Sequence, residues 1–384
     1  MIQTMTKPVS LPDAVRPEIE AWRAEADAQR QLPRELAEIL RAAGAFRLST
    51  PVERNGFELP LATAAEIYEA FGHIDGPVAW NIWNGNLGFS AALLDEAAAD
   101  EIWASGVDPI IANSARPAGA AVPVKGGYAL SGRWDIVSAI DIADWVCLFG
   151  IVLDGEAPRM IESGPDVRAF FVRSADVRVI DTWNTTGMRG TGSKTVVVDA
   201  LVVPEARAAS PLTPARIDRP LYRIPAFTLA SMGSAPIVVG IAQAALDELI
   251  ALAATKKTDN GQLLAQRPHV HTQVAVAQMS LHGARLLLRD AAAAIDAAAT
   301  ANEPISLLLR ARLRAAMSHA ATVSRDVLAK CQLLASSSAI YVTDPIERLV
   351  RDGAVAAQHM ILSPTHIDIL GRLTFGLDAG TPMV

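Results

Sequence analysis

The sequence predicts a mixed α+β protein, mostly α-helical, built from three successive domains. Both ends of the chain are alanine-rich with apolar residues at helical spacing, and the middle is rich in Gly, Val and Thr in short alternating runs. With 384 residues, 51% of them hydrophobic, the chain can bury a large core. We predict an N-terminal helical domain at 1–108, a central antiparallel β-barrel domain at 109–210 and a C-terminal four-helix bundle at 211–384.

The N-terminal domain is predicted from helical periodicity between residues 12 and 103. A clear helix starts with Pro33 in its first turn and stops at Gly44, a suitable C-cap. Further along, Trp80 and Trp83 lie three residues apart and therefore share one helical face. Such a tryptophan face is typical of a protein core.

The middle domain is predicted from short strand patterns between residues 110 and 204. Alternating runs such as 127–134 are separated by glycine-containing turn signals at hairpin-like intervals. We expect roughly six to eight antiparallel strands, closed into a small barrel.

The C-terminal domain is predicted from long helical patterns. Segments 269–300 and 305–341 each span about 45 Å at 1.5 Å per residue, and 345–362 is expected to form the last substantial helix. Long alanine-rich helices in succession are typical of an antiparallel bundle. Their apolarity indicates that the bundle also packs against other subunits.

Charge and cysteine content exclude several functions. A formal net charge of -7 disfavours nucleic acid as a partner, and two cysteines, Cys147 and Cys331, are too few for a disulfide framework or a zinc site. The first 13 residues lack a signal-peptide pattern, and we expect no apolar stretch to reach the roughly 18–20 residues of a membrane span. We expect a soluble cytoplasmic protein without a metal.

A glycine-rich segment at 183–204 is the most informative stretch. It contains Gly187, Gly190 and Gly192, then Ser193, then the β-branched run 195–198. Closely spaced glycines indicate positive φ or close backbone approach. The GxxGxG spacing matches neither the dinucleotide fingerprint nor the P-loop.

The wording of this segment, G-M-R-G-T-G-S followed by a strand and V-P, resembles the middle-domain signature of the acyl-CoA dehydrogenase superfamily. The order of helices, β domain and helices is similar to that fold over nearly the whole chain. The resemblance implies that the loop lies against a flavin, with Trp183 and Ser193 flanking it. Arg267, at the entrance to a bundle helix, is a further candidate, because an arginine there could hold a flavin phosphate. Core packing for Trp183 and a solvent-facing Arg267 are the alternatives.

A second phrase, 131–138, resembles the monooxygenase branch of that superfamily, which carries G-x-W-x-x-x-S here. The resemblance implies that the Ser138 hydroxyl bonds flavin N5 or O4 and that Asn113 contacts the flavin. Asn113 opens a loop where acyl-CoA dehydrogenases carry a T-E-P-G-x-G-S-D type sequence. The alternative is an ordinary strand with Trp134 in the core and Ser138 at a turn.

The helix predicted at 345–362 carries the third candidate. Asp344 suits its N-cap, and Arg348, Asp352 and His359 are spaced to lie along one face. The E-G-T motif with the catalytic Glu of acyl-CoA dehydrogenases is missing, and the resemblance implies that His359 faces the substrate instead. An unperturbed pKa near 6.5 suits an imidazole that takes a phenolic proton.

Together these features predict the oxygenase component of a two-component flavin-dependent monooxygenase, with His359 and Ser138 as catalytic residues. By resemblance, a separate reductase supplies reduced FMN or FAD (FMNH2 or FADH2), and O2 forms a C4a-hydroperoxyflavin that oxygenates a small aromatic substrate. We expect a homotetramer with its site in a valley between the barrel and the bundle. An acyl-CoA dehydrogenase or related oxidase is the main alternative, and a non-catalytic scaffold is a third hypothesis.

Overall fold

The computed structural model describes residues 8–103 and 108–381. The prediction that the first 13 residues lack a signal peptide therefore falls mostly outside the described residues. The helices are α1 (Leu11–Gln29), α2 (Arg34–Ala43), α3 (Leu61–Ile74), α4 (Gly76–Gly85), α5 (Glu96–Trp103), α6 (Pro220–Arg223), α7 (Ala226–Ser231), α8 (Ser234–Thr255), α9 (Pro268–Thr300), α10 (Leu307–Ala335), α11 (Pro345–Ala356) and α12 (Thr365–Thr374).

The strands fall between α5 and α6. They are β1 (Ile111–Val124), β2 (Gly127–Val137), β3 (Trp145–Asp154), β4 (Ala157–Pro158), β5 (Met160–Ile161), β6 (Gly164–Pro165), β7 (Val167–Arg173), β8 (Arg178–Ile180), β9 (Lys194–Pro204) and β10 (Ala208–Ala209).

The chain divides into two compact units. The sheet unit contains the chain up to Pro60, Trp80–Asn184 and Arg189–Ala230, and the helical unit contains Leu61–Ala79, Thr185–Met188 and the chain from Ser231 onward. The three-domain division at 108/109 and 210/211 stays a prediction.

The main sheet runs in the order β10-β7-β3-β1-β2-β9-β8, with β4 beside β3. The expectation of a purely antiparallel sheet was wrong, because β1 and β3 pair in parallel. The chain reverses into β2, which pairs antiparallel with β1, and reverses again before β3 adds to the other edge of β1. The closed barrel stays a prediction.

Trp134 lies in the core of the sheet. This agrees with the alternative prediction, in which phrase 131–138 is an ordinary strand with Trp134 in the core. Its side chain is fully buried, and its indole Nε1 donates to the Phe149 carbonyl at 2.8 Å. The ring lies over Gly119 and Gly132, which face each other across β1 and β2, and a Cβ at either position would collide with it. These glycines therefore make room for the indole.

In the helical unit, α10 packs against α8, α9, α11 and α12, and α8 packs against α3. The long helices predicted at 269–300 and 305–341 are present as α9 and α10, the latter followed by a short 3-10 helix, Ser336–Ile340. The four-helix-bundle arrangement stays a prediction.

The expectation that no apolar stretch is long enough to span a membrane was wrong. Within the described residues, the stretch Ala226–Thr255 is long and apolar enough, with a mean hydropathy of 1.8. Its most apolar window is 61% buried inside the protein, and the core helix of a soluble protein meets the same criterion.

Candidate functional site

Three buried hydroxyl groups meet where the glycine-rich loop joins the sheet. Ser138 Oγ lies 2.8 Å from Ser193 Oγ, and Ser193 Oγ lies 2.7 Å from Thr191 Oγ1. Each of the three residues is 3% exposed or less. We call Ser138, Thr191 and Ser193 the hydroxyl trio. If Thr191 donates to Ser193 and Ser193 to Ser138, the Ser138 proton is directed to a group outside the trio.

The local backbone explains this meeting point. Ser138 directly follows the last residue of β2, and the Ala139 N–H donates to the Thr191 carbonyl at 3.1 Å. Gly192, with a φ of 54°, turns the chain from the 3-10 helix Arg189–Thr191 into β9. The sequence motifs indicated Ser138 and Ser193 but not Thr191, whose only signal was its place between two glycines.

Asn113 is a direct neighbour of Ser138, because the two residues form an isolated antiparallel bridge. The Asn113 amide Nδ2 donates to the Asn84 carbonyl at 3.0 Å, and the Asn84 Nδ2 donates to the Trp80 carbonyl at 2.9 Å. The last turn of α4 therefore fixes the orientation of the Asn113 side chain.

Asn113 also lines an apolar cavity inside the sheet unit, which no motif in the sequence indicated. The strands contribute alternate residues, which share one face of the sheet, and α7 and the 3-10 helix Gly88–Ala92 contribute others. None of the described residues that line the cavity is charged. The lining consists of Leu87, Phe89, Ser90, Leu93, Asn113, Ala115, Cys147, Phe149, Ala169, Phe171, Ala209, Pro211, Ala226, Phe227 and Ala230.

Trp183 and Arg267, the other two predicted flavin contacts, belong to different units. Trp183 is half-buried in the sheet unit, where its carbonyl accepts a hydrogen bond from Arg30 Nη1 at 2.8 Å. Arg267 is half-buried in the helical unit and directly precedes α9. Their contacts with a flavin stay predictions.

The helix that carries Arg348 and Asp352 is shorter than expected, which corrects the placement of His359. Helix α11 ends at Ala356 rather than 362, and His359 instead forms the N-cap of the 3-10 helix Met360–Leu362. Its ring Nδ1 accepts from the Ile361 N–H at 3.3 Å. Arg348 and Asp352 do share a face, with Nη1 and Oδ2 3.5 Å apart, but His359 lies beyond it.

His359 is held in its neutral form. Burial, and secondarily the positive charge of Arg314, lower the pKa of His359 to about 4. Because Nδ1 accepts a hydrogen bond, the network assigns the ring proton to Nε2. An imidazole with this pKa is a poor acceptor of a phenolic proton but a competent hydrogen-bond donor.

Comparison with known proteins agrees with this architecture. Residues 232–364 match the family model "Acyl-CoA dehydrogenase, C-terminal domain". An indole-3-acetate monooxygenase from Pseudomonas putida is 31% identical over 92% of this chain and 89% of its own length. The flavin-dependent monooxygenase oxygenase subunit HsaA from Rhodococcus jostii (strain RHA1) is 28% identical over 97% of this chain and 99% of its own.

Among solved structures, XiaF from Streptomyces sp., in complex with FADH2 and glycerol, superposes with a TM-score of 0.91 at 26% identity. The match covers 98% of this chain and 97% of XiaF. The fold is thus that of the acyl-CoA dehydrogenase class. Within this class, the chain belongs to the flavin-dependent monooxygenases, as the oxygenase component of a two-component system. The acyl-CoA dehydrogenase alternative is not favoured.

Proposed function

We propose that this chain binds reduced flavin at the hydroxyl trio, excludes water from it and directs oxygen to a small aromatic substrate. The observation that carries the proposal is the hydroxyl trio, buried beside Asn113 in a chain of this family. The reduced flavin, when bound, is the group that reacts with O2. Exclusion of water from such a site limits the unproductive loss of reducing equivalents as peroxide.

The residues at the trio fit a flavin. The isoalloxazine has a polar edge that needs partners when it is buried, and if Ser193 donates to Ser138, the Ser138 proton supplies a donor to that edge. In this proposal Thr191 and Ser193 orient Ser138, Asn113 and Trp183 are the further flavin contacts implied by the family resemblance, and Arg267 holds a flavin phosphate.

His359 is proposed to face the substrate as a neutral imidazole. Its lowered pKa and the Nδ1 contact with Ile361 support this role over that of a general base. Substrate activation by His359 therefore does not require the residue to gain a proton near pH 7.

The partners follow from the class of enzyme. A separate reductase supplies FMNH2 or FADH2 in the cytoplasm, and XiaF, solved with FADH2, favours FADH2 as the first cofactor to test. Several large apolar side chains of the helical unit are exposed, and in this proposal they make subunit contacts in a homotetramer. These are Met279, Leu333, Val342 and Phe375, each between 74% and 84% exposed.

The test mixes the purified chain, loaded anaerobically with reduced FAD or FMN, with O2 in the presence of indole or phenol. We expect a flavin absorbance transient that outlasts the one seen without protein, and oxygenated product in place of peroxide. A chain that binds no reduced flavin, or that yields peroxide alone with a broad panel of phenols, indoles and thiophenes, contradicts the proposal. Light scattering in the same preparation tests the tetramer.

A further inference from the structure

We infer that the apolar cavity of the sheet unit holds the substrate and that Asn113 Oδ1 is its hydrogen-bond acceptor. The preferred substrate is then a small, planar, uncharged ring system that carries an N–H or O–H donor. This inference rests on the proposed function, since it names the substrate chemistry of the same site.

The orientation of the Asn113 amide determines which atom is available to a ligand. Its Nδ2 donates to the Asn84 carbonyl, and a flipped amide would instead set two acceptor oxygens against each other. The amide nitrogen therefore points to α4. Among the described residues, the structure gives Oδ1 no hydrogen-bond donor, so Oδ1 is the acceptor that a ligand can use.

The rest of the cavity selects a neutral aromatic ring. Phe149 and Phe227 both line it, with their ring centroids 5.8 Å apart and their planes inclined by 40°. Aromatic rings pack favourably against such a wall. Because no described lining residue is charged, an ionised group buried here would lack a counter-charge, which is strongly unfavourable.

Two other polar groups line the cavity, and neither replaces the Asn113 amide. Burial raises the pKa of the Cys147 thiol, so this residue stays protonated and is only a weak hydrogen-bonding group. Ser90 is 5% exposed and lies on the 3-10 helix Gly88–Ala92. Its hydroxyl can rotate and serve as donor or acceptor, so it does not discriminate as a fixed amide oxygen does.

A fixed acceptor in an apolar cavity is a strong basis for selectivity. A purely apolar cavity discriminates weakly between ligands of equal shape. A buried acceptor disfavours a ligand that has no hydrogen-bond donor, because the acceptor is then left unpaired. Indole and benzofuran form a matched pair, because they share their shape and differ by N–H against O.

The experiment measures the affinity of indole and benzofuran by calorimetry, on the free chain and on the chain loaded anaerobically with reduced FAD. We expect wild type to bind indole about tenfold more tightly than benzofuran. Asn113→Leu should bring this ratio close to one while leaving the affinity for benzofuran unchanged. Cys147→Ala, which alters the same lining without the acceptor, should keep the preference.

Equal affinity of wild type for the two ligands overturns the inference, and so does an indole preference that survives in Asn113→Leu. Loss of the wild-type indole preference once reduced FAD is bound would show that the amide serves the cofactor and would also overturn it. If that variant does not fold, phenol and fluorobenzene on wild type provide a second matched pair. These are binding measurements without turnover, so a failure to oxygenate contradicts the proposed function alone.

Discussion

Asp352 Oδ1 accepts a hydrogen bond from the Met188 backbone N–H at 2.6 Å. Met188 has a φ of 53°, a left-handed conformation that costs a non-glycine residue about 1–2 kcal/mol. Arg351 Nη1 adds a bond to the Thr186 carbonyl at 3.2 Å. Helix α11 therefore holds the segment Thr185–Met188, three residues before Thr191 of the hydroxyl trio.

Replacing Asp352 by Asn should change how stability depends on pH. Burial, opposed by Arg348, raises the pKa of Asp352 to about 6, above its unfolded value near 3.9. Its contribution to stability is therefore fully present below about pH 4 and lost as the pH rises through about 6. The amide of the variant stays neutral at every pH, so Asp352→Asn should gain about 2–3 kcal/mol relative to wild type between pH 4 and pH 7.

Urea unfolding of both proteins at several pH values measures this difference. The amide oxygen of the variant can still accept from Met188, and Arg348 keeps its ion pair with Asp75, 2.9 Å away. Asp352→Ala is the control that removes the acceptor, and it should lose about 1–3 kcal/mol relative to Asp352→Asn at neutral pH. Parallel stability curves for wild type and Asp352→Asn would contradict the raised pKa.

Loss of the Ser138 hydroxyl should uncouple flavin oxidation from substrate oxygenation. In Ser138→Ala we expect about tenfold weaker binding of reduced flavin, because one donor to the buried ring is lost. We also expect more peroxide per flavin oxidised, measured by peroxide assay alongside product analysis. Thr182→Val is a matched control, since it breaks another hydroxyl pair of the sheet unit, Thr182 Oγ1 to Thr195 Oγ1 at 2.9 Å. A control that uncouples as strongly would remove Ser138 from the proposal.

His359→Ala should slow substrate oxygenation by about 10- to 100-fold and leave flavin affinity unchanged, because only a donor to the reacting groups is removed. The wild-type rate should show no inflection from this residue near pH 6.5, since burial lowers its pKa to about 4. Single-turnover rates from pH 5 to pH 8 measure both effects. The exposed neighbour Gln358, replaced by Ala, should behave as wild type. A wild-type rate in His359→Ala would exclude this residue from the mechanism.

Site residues that belong to short motifs could be predicted from the sequence, whereas residues brought together by the order of the strands could not. Ser138 and Ser193 are 55 positions apart, and each was predicted to contact the flavin because it belongs to a recognisable phrase. Their hydroxyls lie 2.8 Å apart, a contact that the sequence did not predict. The cavity was missed because its walls come from separate strands. Alternation shows that Asn113 and Ala115 share a face, but not that Cys147 lies beside them, since that requires the parallel pairing of β1 with β3.

The error in α11 has a local cause. Apolar residues at 360–362 continue the helical pattern, and a pattern of this kind does not show where a side chain competes with the backbone. His359 Nδ1 occupies the Ile361 N–H, and the His359 N–H bonds the Ala356 carbonyl three residues earlier, so the α-helical ladder stops. The same contact leaves the ring proton on Nε2.

Gly187 provides the sharpest test of how the loop is held by α11. A Cβ at this position would collide with the backbone carbonyl of Arg351, and a backbone cannot move aside as a flexible side chain can. Gly187→Ala should therefore lose about 1–3 kcal/mol of unfolding free energy, as overpacked cores do. Gly283 in α9 is the matched control, because a Cβ there meets nothing within 4 Å. Gly283→Ala should gain about 0.5–1 kcal/mol from helix propensity alone. Denaturant unfolding of both variants measures the two signs, and stabilisation of Gly187→Ala would show that the loop does not lie against α11.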